Sequence, residues 1–94
     1  MANRINRWDI VLAYWVDSGG IGRWTDIEVA LKELGTAPHC WTAGFYLGES
    51  DECIGIAASS SINDNVDQIM YIPKVALVKL EVIKKASKKW THTN

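Results

Sequence analysis

The chain has 94 residues, which is enough for one domain and too few for two. With 48% hydrophobic and 22% charged residues, its composition is that of a globular protein. The formal net charge of −1 disfavours long nucleic acid as a partner, because proteins that bind it carry a basic excess. No apolar run reaches the roughly 20 residues of a membrane span, and no signal-peptide core follows the N-terminus. We therefore expect a cytoplasmic protein with no membrane partner.

The first predicted element is a β-strand over residues 8–17. Its even-numbered positions, such as Leu12 and Tyr14, and its odd-numbered positions, such as Val11 and Trp15, are apolar. A strand that is apolar on both faces is normally covered on both sides. This pattern is typical of a small barrel or of a sheet that assembles with other copies.

A glycine-rich turn over residues 19–22 precedes a predicted helix over residues 26–34. Thr25 and Glu28 have the spacing of a capping box, and Gly35 stands where a helix favours a left-handed residue. A helix of this length is not stable alone, so we expect it to pack on the sheet. Its apolar residues recur at helical spacing and are Ile27, Ala30, Leu31 and Leu34.

Four further strands are predicted after the helix. The acidic turn 49–51 separates the first two of them, and Pro73 ends the third because it lacks an N–H donor. Gly44 and Gly55 lie in mid-strand and indicate the bends that a small barrel needs. One turn of tight helix fits in residues 74–77. The strands cover residues 39–48, 52–61, 68–72 and 78–83.

This order of elements predicts a mainly β fold. We expect a five-stranded SH3-like or Sm-like small barrel, with one short helix inserted between the first two strands. Residues 1–7 form an N-terminal extension in this prediction, residues 8–83 the barrel domain, and residues 84–94 a basic, flexible tail.

The cysteines and histidines do not form a recognisable catalytic or metal-binding set. Cys40 and Cys53 flank the turn out of register, so we expect no disulfide between them. The adjacent His39 and Cys40 lack the further well-spaced ligands that zinc requires, since His92 lies in the tail. No phosphate loop or nucleophile elbow is present. We therefore predict no enzymatic activity, no metal and no cofactor.

Residues suited to a small nucleotide-like ligand stand in or near the predicted loops. Aromatic faces suit bases, cations suit phosphates, and hydroxyl groups suit ribose. We predict that these loops meet at one end of the barrel or at a subunit boundary. The candidate ligand-binding residues are Trp15, Asp17, Arg23, Trp24, Ser59, Ser60, Ser61, Asn63 and Lys74.

Seven of the nine candidates have a structural alternative. The pattern favours a core position for Trp15 and a turn-capping role for Asp17. Trp24 suits a hydrophobic staple of the helix as well as it suits ligand stacking. The serines at 59–61 are also typical of a solvated strand end, and Lys74 of a charged guard on a sheet edge.

Five short motifs follow one another between residues 10 and 83. They are Trp15-Val16-Asp17-Ser18, Trp24-Thr25-Asp26, Ala43-Gly44-Phe45-Tyr46-Leu47 with Glu49-Ser50-Asp51, Ala57-Ala58-Ser59 and Met70-Tyr71-Ile72-Pro73-Lys74. Together they resemble a widespread group of small phage and prophage proteins. In that group a cysteine precedes the glycine-containing strand, as Cys40 does here, although a Ser-Val-Gly run is commoner where this chain has residues 41–44. The resemblance implies a phage accessory protein in the infected bacterial host and brings no catalytic residue.

Three functions remain open at this point. The first is a non-enzymatic, homo-oligomeric counter-defence sponge that sequesters a nucleotide second messenger of bacterial immunity; the phage resemblance implies this class, and doubly apolar strands favour assembly. The second is a protein-interaction module that inhibits a host defence protein. The third is Sm-like RNA binding, which the charge balance disfavours.

Overall fold

The computed structural model describes residues 4–18, 23–34 and 37–87. The predicted order of five strands, with a helix after the first and a tight turn before the last, is confirmed. Among the described residues, no helix has the length and apolar character that crossing a bilayer requires. The elements are β1 (Ile10–Val16), α1 (Ile27–Lys32), β2 (His39–Glu49), β3 (Cys53–Ser60), β4 (Val66–Pro73), one turn of 3-10 helix (Lys74–Ala76) and β5 (Leu77–Lys84).

The five strands form one antiparallel sheet in the order β4-β3-β2-β1-β5. The edge strands β4 and β5 are not hydrogen-bonded neighbours in the described part of the chain, so the sheet is not closed. Only the 3-10 turn joins them. In a flat sheet the two edge strands would lie about 19 Å apart, at about 4.8 Å per strand. The chain from Pro73, the end of β4, to Leu77, the start of β5, spans at most about 14 Å. The sheet must therefore curl.

A contact across the sheet supports this curl. The Thr42 hydroxyl of β2 donates to the Met70 sulfur of β4 at 3.6 Å, although β3 lies between the two strands. Both edge strands also contribute to one core, Ile72 from β4 and Leu80 from β5. The core fills the concave face, and its buried members are Val11, Ala13, Trp15, Tyr46, Ile54, Ile56 and Ile72.

The outer face of the sheet is less covered. In β1 the odd-numbered residues are buried and the even-numbered residues, including Leu12 and Tyr14, are half-buried. On β2 the Trp41 side chain is 65% exposed. The described residues therefore cover β1 fully on one side only, which differs from the two-sided cover that its sequence predicts.

The helix differs from its prediction at both ends. Its N-cap is Asp26, and no side chain caps it, so the predicted Thr25–Glu28 capping box is wrong. With Asp26 as the cap, Glu28 is the second helical residue. In a capping box it is the side chain of the third helical residue that accepts a hydrogen bond from the amide of the cap residue. Gly35 and the predicted turn 19–22 lie outside the described residues.

The predicted packing of the helix on the sheet is also wrong. No residue of α1 is buried, and its apolar residues Ile27 and Leu31 are largely exposed. The core is formed by strand side chains without a contribution from α1.

The N-terminal boundary of β1 is set by a turn. Trp8 adopts a φ of +78°, which a strand does not tolerate, and the Asp9 amide donates to the Asn6 carbonyl at 3.1 Å. β1 therefore begins at Ile10 instead of residue 8. The Tyr46 amide donates to the Asp9 carbonyl at 2.9 Å and so attaches this turn to β2.

The Asp9 carboxylate is fully buried and connects the two ends of the described chain. Its Oδ1 accepts from the Ala86 amide at 2.8 Å, and its Oδ2 accepts from the Asn6 amide at 2.9 Å and from Lys85 Nζ at 2.6 Å. Lys85 Nζ also donates to the Arg4 carbonyl at 2.9 Å. The first residues of the predicted tail are thus held against the domain, whereas residues 88–94 lie outside the described part.

These bonds determine the ionisation of Asp9. Burial alone would raise the pKa of this carboxyl group, because it disfavours the charged form. The hydrogen bonds from Asn6, Lys85 and Ala86, with the positive charge of Lys85, outweigh burial and lower the pKa of Asp9 below the ordinary aspartate value. Asp9 is therefore a stabilised buried anion.

Asp9→Asn should destabilise the fold and change its acid sensitivity. The substitution places an NH₂ group against the Lys85 ammonium, so we expect the free energy of unfolding to fall by about 3 kcal/mol at neutral pH. Because the folded pKa of Asp9 is depressed, its contribution is present above the unfolded pKa of about 3.9 and is lost as the pH falls through the folded value. Urea unfolding of the variant, the wild type and the exposed control Asp51→Asn at several pH values measures this. A loss that stays constant from neutral pH to strong acid would contradict the assignment.

Two mid-strand glycines should respond differently to alanine. A Cβ at Gly44 would lie 2.4 Å from the Ala57 carbonyl oxygen, whereas a Cβ at Gly55 would meet only Leu47 and Tyr71, at 3.7 Å or more. We expect Gly44→Ala to lower the free energy of unfolding by about 2 kcal/mol or more, since backbone must move, and Gly55→Ala to be nearly neutral. Thermal unfolding of the matched pair measures this, and equal losses would contradict it.

Candidate functional site

An open cleft of about 680 Å³ lies at the concave side of the curled sheet. Charged side chains stand at its rim, and aliphatic side chains form its walls. Its lining comes from the N-terminal segment, β2, β3, the 3-10 turn and β5, and comprises Arg4, Ile5, Tyr46, Glu49, Ile54, Lys74, Leu77 and Leu80.

A β-bulge in β2 turns two polar side chains into this cleft. Tyr46 pairs with Ile56 but Gly48 pairs with Gly55, so β2 holds one extra residue between these pairs. Gly48 has a φ of +147°, which glycine adopts without strain. In a regular strand Tyr46 and Glu49 would point to opposite faces, because side chains alternate. The bulge brings them together, and the Tyr46 hydroxyl donates to Glu49 Oε1 at 3.3 Å.

Lys74 completes the polar group. Its ammonium forms an ion pair with Glu49 Oε2, and its backbone amide donates to the Glu52 carbonyl at 2.7 Å, which attaches the 3-10 turn to the start of β3. The hydrogen bond and the charge of Lys74 lower the pKa of Glu49. Burial, followed by the nearby Glu49 charge, raises the pKa of Tyr46. Tyr46 is therefore a neutral hydrogen-bond donor beside an ionised Glu49.

The remaining rim of the cleft depends on Asp9. Arg4 and Ile5 belong to the N-terminal segment, which is held because Lys85 bonds both the Arg4 carbonyl and the Asp9 carboxylate. The exposed Arg4 side chain lies at the rim. The cleft thus carries two cations, one anion and one phenol hydroxyl above apolar walls.

Of the nine residues predicted from sequence, only Lys74 lines the cleft. It lies beside the start of β3, whereas Ser59, Ser60, Ser61 and Asn63 lie at or beyond the other end of that strand. Within one copy, the described parts of these loops therefore do not meet at one end of the sheet. Their predicted meeting at a subunit boundary stays a prediction. Ser61 instead organises the turn into β4, where its hydroxyl accepts from the amides of Asn63 and Asn65, each at 3.3 Å.

The residues near the end of β1 are also placed elsewhere. Trp15 is only 8% exposed and its indole N–H donates to the Thr42 hydroxyl at 3.0 Å, so it is a core residue and not a stacking surface. The Asp17 carboxylate accepts from the Ser18 amide at 2.8 Å, whereas the turn 19–22 that it is predicted to cap lies outside the described residues. Trp24 is 101% exposed, which excludes the hydrophobic staple, and Arg23 beside it is exposed as well.

The sequence analysis missed Arg4, Tyr46 and Glu49. Strict alternation placed Tyr46 and Glu49 on opposite faces, and Gly48 was the one signal of a bulge. The sequence analysis assigned Arg4 to an N-terminal extension. Local patterns could not reveal that Lys85 holds this segment by bonding both Arg4 and Asp9, because Lys85 is far from both in sequence.

Two further findings bear on what the cleft could bind: its side chains as metal ligands, and the likeness of the chain to known proteins. Among the described residues, no group of three or more His, Cys, Asp or Glu side chains could hold a metal ion. No family model, curated protein or solved structure matches the chain. The cleft is therefore interpreted from its own residues.

The Tyr46–Glu49 contact can be tested by titration. Glu49→Gln removes the negative charge that disfavours phenolate, so we expect the pKa of Tyr46 to fall relative to the wild type. Ultraviolet difference titration against Tyr46→Phe isolates this group from the other tyrosines. The exposed control Glu52→Gln should leave its pKa unchanged. An unaltered Tyr46 titration in Glu49→Gln would show that the two side chains do not interact.

Proposed function

We propose that the protein binds a small phosphate-bearing ligand in the cleft and catalyses no reaction on it. The observation that carries this proposal is the combination of the Lys74–Glu49 pair, the Tyr46 hydroxyl and apolar walls in one open cleft. Few polar groups on a mostly apolar surface are typical of small-ligand sites, and a volume of about 680 Å³ is within their usual range.

The charges favour an anion. Lys74 is one-third exposed and Glu49 about half exposed, and exposed ion pairs contribute little to stability. A phosphate group, with more charge and more acceptor oxygens than Glu49, competes effectively for the Lys74 ammonium. Arg4 at the rim supplies a planar, bidentate donor for the same group.

The other walls favour an apolar or aromatic portion of the ligand. Ile54, Leu77 and Leu80 present aliphatic surface beneath the charged rim. Burying a flat ring against such side chains is favourable, because apolar area leaves water. A nucleotide combines a ring with phosphate and therefore suits this division of the cleft.

The resemblance to small phage proteins supports a more specific proposal. We assign the ligand to the nucleotide second messengers of bacterial immunity, and the function to a cytoplasmic counter-defence sponge in an infected host. Sequestration requires affinity and protein abundance, and it needs no nucleophile or base.

The fold and assembly belong to the same proposal. The strand order, the curl and the 3-10 turn before β5 support an SH3-like or Sm-like barrel. Two sheet edges without a strand neighbour in the described chain support homo-oligomerisation.

One observation favours a second candidate, a module that inhibits a host defence protein. Tyr14 packs against Trp41 with ring centroids 4.8 Å apart, and it lies 5.6 Å from the His39 ring, with a 2.6 Å hydrogen bond to His39 Nδ1. Exposed aromatic groups of this kind are enriched in protein interfaces. An Sm-like RNA-binding function is supported least, given the net charge of −1.

Three variants separate nucleotide binding from its alternatives. In titration calorimetry with cyclic and linear nucleotides, Lys74→Ala should weaken binding by about tenfold or more, because a phosphate contact is lost. Glu49→Gln should strengthen it, since Lys74 loses its competing partner. The control Lys79→Ala removes an exposed lysine of β5 that does not line the cleft and should bind like the wild type.

The same experiment has clear negative outcomes. Equal affinities of Lys74→Ala and Lys79→Ala would place the ligand outside the cleft. If every nucleotide leaves both the calorimetric signal and the melting temperature unchanged, ligand binding is overturned, because a ligand of the folded state must stabilise it. Protein inhibition is then the better proposal.

A further inference from the structure

A second opening lies at the outer face of the sheet, next to the concave cleft, and Glu49 and Ile54 line both openings. It is a shallow slot of about 260 Å³ whose floor is Gly55 and whose sides include Leu47, Tyr71 and Cys53. Because Gly55 has no side chain, the slot separates Leu47 from Tyr71 across β3. Its volume of about 260 Å³ exceeds that of one indole ring, so the slot has room for a tryptophan side chain.

Trp24 is the side chain that matches this slot. It is 101% exposed, so its whole indole surface is in water. It precedes α1, and Ile27 and Leu31 of α1, like Leu34 just beyond it, are also at least half exposed. A short helix with an uncovered apolar side is not stable alone and gains from docking.

We propose that the slot receives Trp24 of a second copy of this chain. The inference goes beyond the ligand-binding function, since the slot and the cleft are different openings. It rests on the apolar character of the slot, its size, the exposure of Trp24, the reach of the chain and the charges at the rim.

The reach of the chain favours a second copy over the same copy. The Asp17 amide donates to the Pro38 carbonyl at 2.8 Å, so the β1–β2 ladder continues beyond Val16, away from the slot. From Pro38 to Leu47 the distance along β2 is about 30 Å at about 3.3 Å per residue. The seven steps from Asp17 to Trp24 span at most about 25 Å when fully extended, and the chain would first have to reverse direction.

The charges beside the two surfaces are complementary. The exposed Asp51 and Glu52 lie between Ser50 and Cys53, which both line the slot. Arg23, adjacent to Trp24, is exposed. Docking of the indole therefore brings a guanidinium group to an acidic turn, a combination that sets the orientation of a contact more than its strength.

Reciprocal docking closes the assembly. Each copy carries one Trp24 and one slot, so a two-fold arrangement forms two identical contacts and leaves neither surface uncovered. A buried tryptophan in an apolar pocket is typical of the residues that dominate the binding energy of an interface.

Analytical ultracentrifugation over a concentration series tests the proposal. The wild type should self-associate, and Trp24→Ala and Gly55→Val should each weaken association by about tenfold or more. Gly55→Val fills the slot from its floor. Since a larger side chain could disturb the sheet, Tyr71→Ala, which removes an exposed wall, provides a second slot variant, and circular dichroism checks the fold of each.

A mixture gives the sharpest result. Trp24→Ala retains its slot and Gly55→Val retains its tryptophan, so an equimolar mixture should associate more strongly than either variant alone. Trp41→Ala, which removes a different exposed tryptophan, and Lys79→Ala, which removes an exposed lysine that lines neither opening, should associate like the wild type.

Three outcomes would overturn the proposal. The first is a wild type that is monomeric throughout the concentration series. The second is normal association of the slot variants when Trp24→Ala does not associate. The third is an equimolar mixture that associates no more strongly than either variant alone. A monomeric wild type would also overturn the homo-oligomerisation proposed above, whereas none of the three outcomes affects nucleotide binding by the monomer. A wild type that binds no nucleotide would leave association through Trp24 intact, so the ligand site and this contact fail separately.

Discussion

The buried carboxylate of Asp9 is the interaction on which the rest of the structure depends. A charge without solvent exposure is strongly unfavourable unless it is paired and hydrogen-bonded. Asp9 meets this requirement with donors from both ends of the described chain, Asn6 on one side and Lys85 and Ala86 on the other. The N-terminal segment, β5 and the start of β1 are thereby held together. The same bonds keep Arg4 at the rim of the cleft, so the site depends on a residue that does not line it.

The second constraint is the short connection between the sheet edges. Three residues of 3-10 helix cannot join β4 to β5 across a flat sheet, so the sheet curls and encloses its core. The bulge before Gly48 then turns Tyr46 and Glu49 toward the same side, where Lys74 meets them. Curl and bulge together make a polar rim above apolar walls, which is the chemical basis of the proposed ligand site.

The two faces of the sheet have different chemistry. The concave face combines a filled core with a partly charged cleft, and it suits a small amphipathic ligand. The outer face is apolar and aromatic, with Trp41 exposed at one end and the slot over Gly55 at the other. An apolar outer face beside an uncovered α1 suits protein contacts, whether with a second copy or with a different protein. The proposed ligand site and the proposed assembly contact are therefore neighbouring openings that share Glu49 and Ile54.

The sequence by itself determined the strands, the helix and their order, because alternation, glycine and proline act within a few residues. It also identified Lys74, a cation directly after Pro73, as a candidate ligand residue, and it favoured a core position for Trp15. Only the tertiary structure decided that Lys74 lines the cleft and that Trp24 is exposed, because these depend on what packs against each side chain. It likewise decided the role of Asp9, whose carboxylate bonds residues 76 and 77 positions away. Local sequence patterns specify strands and helices. Burial, and hydrogen bonds between residues far apart in sequence, arise only when the sheet has curled.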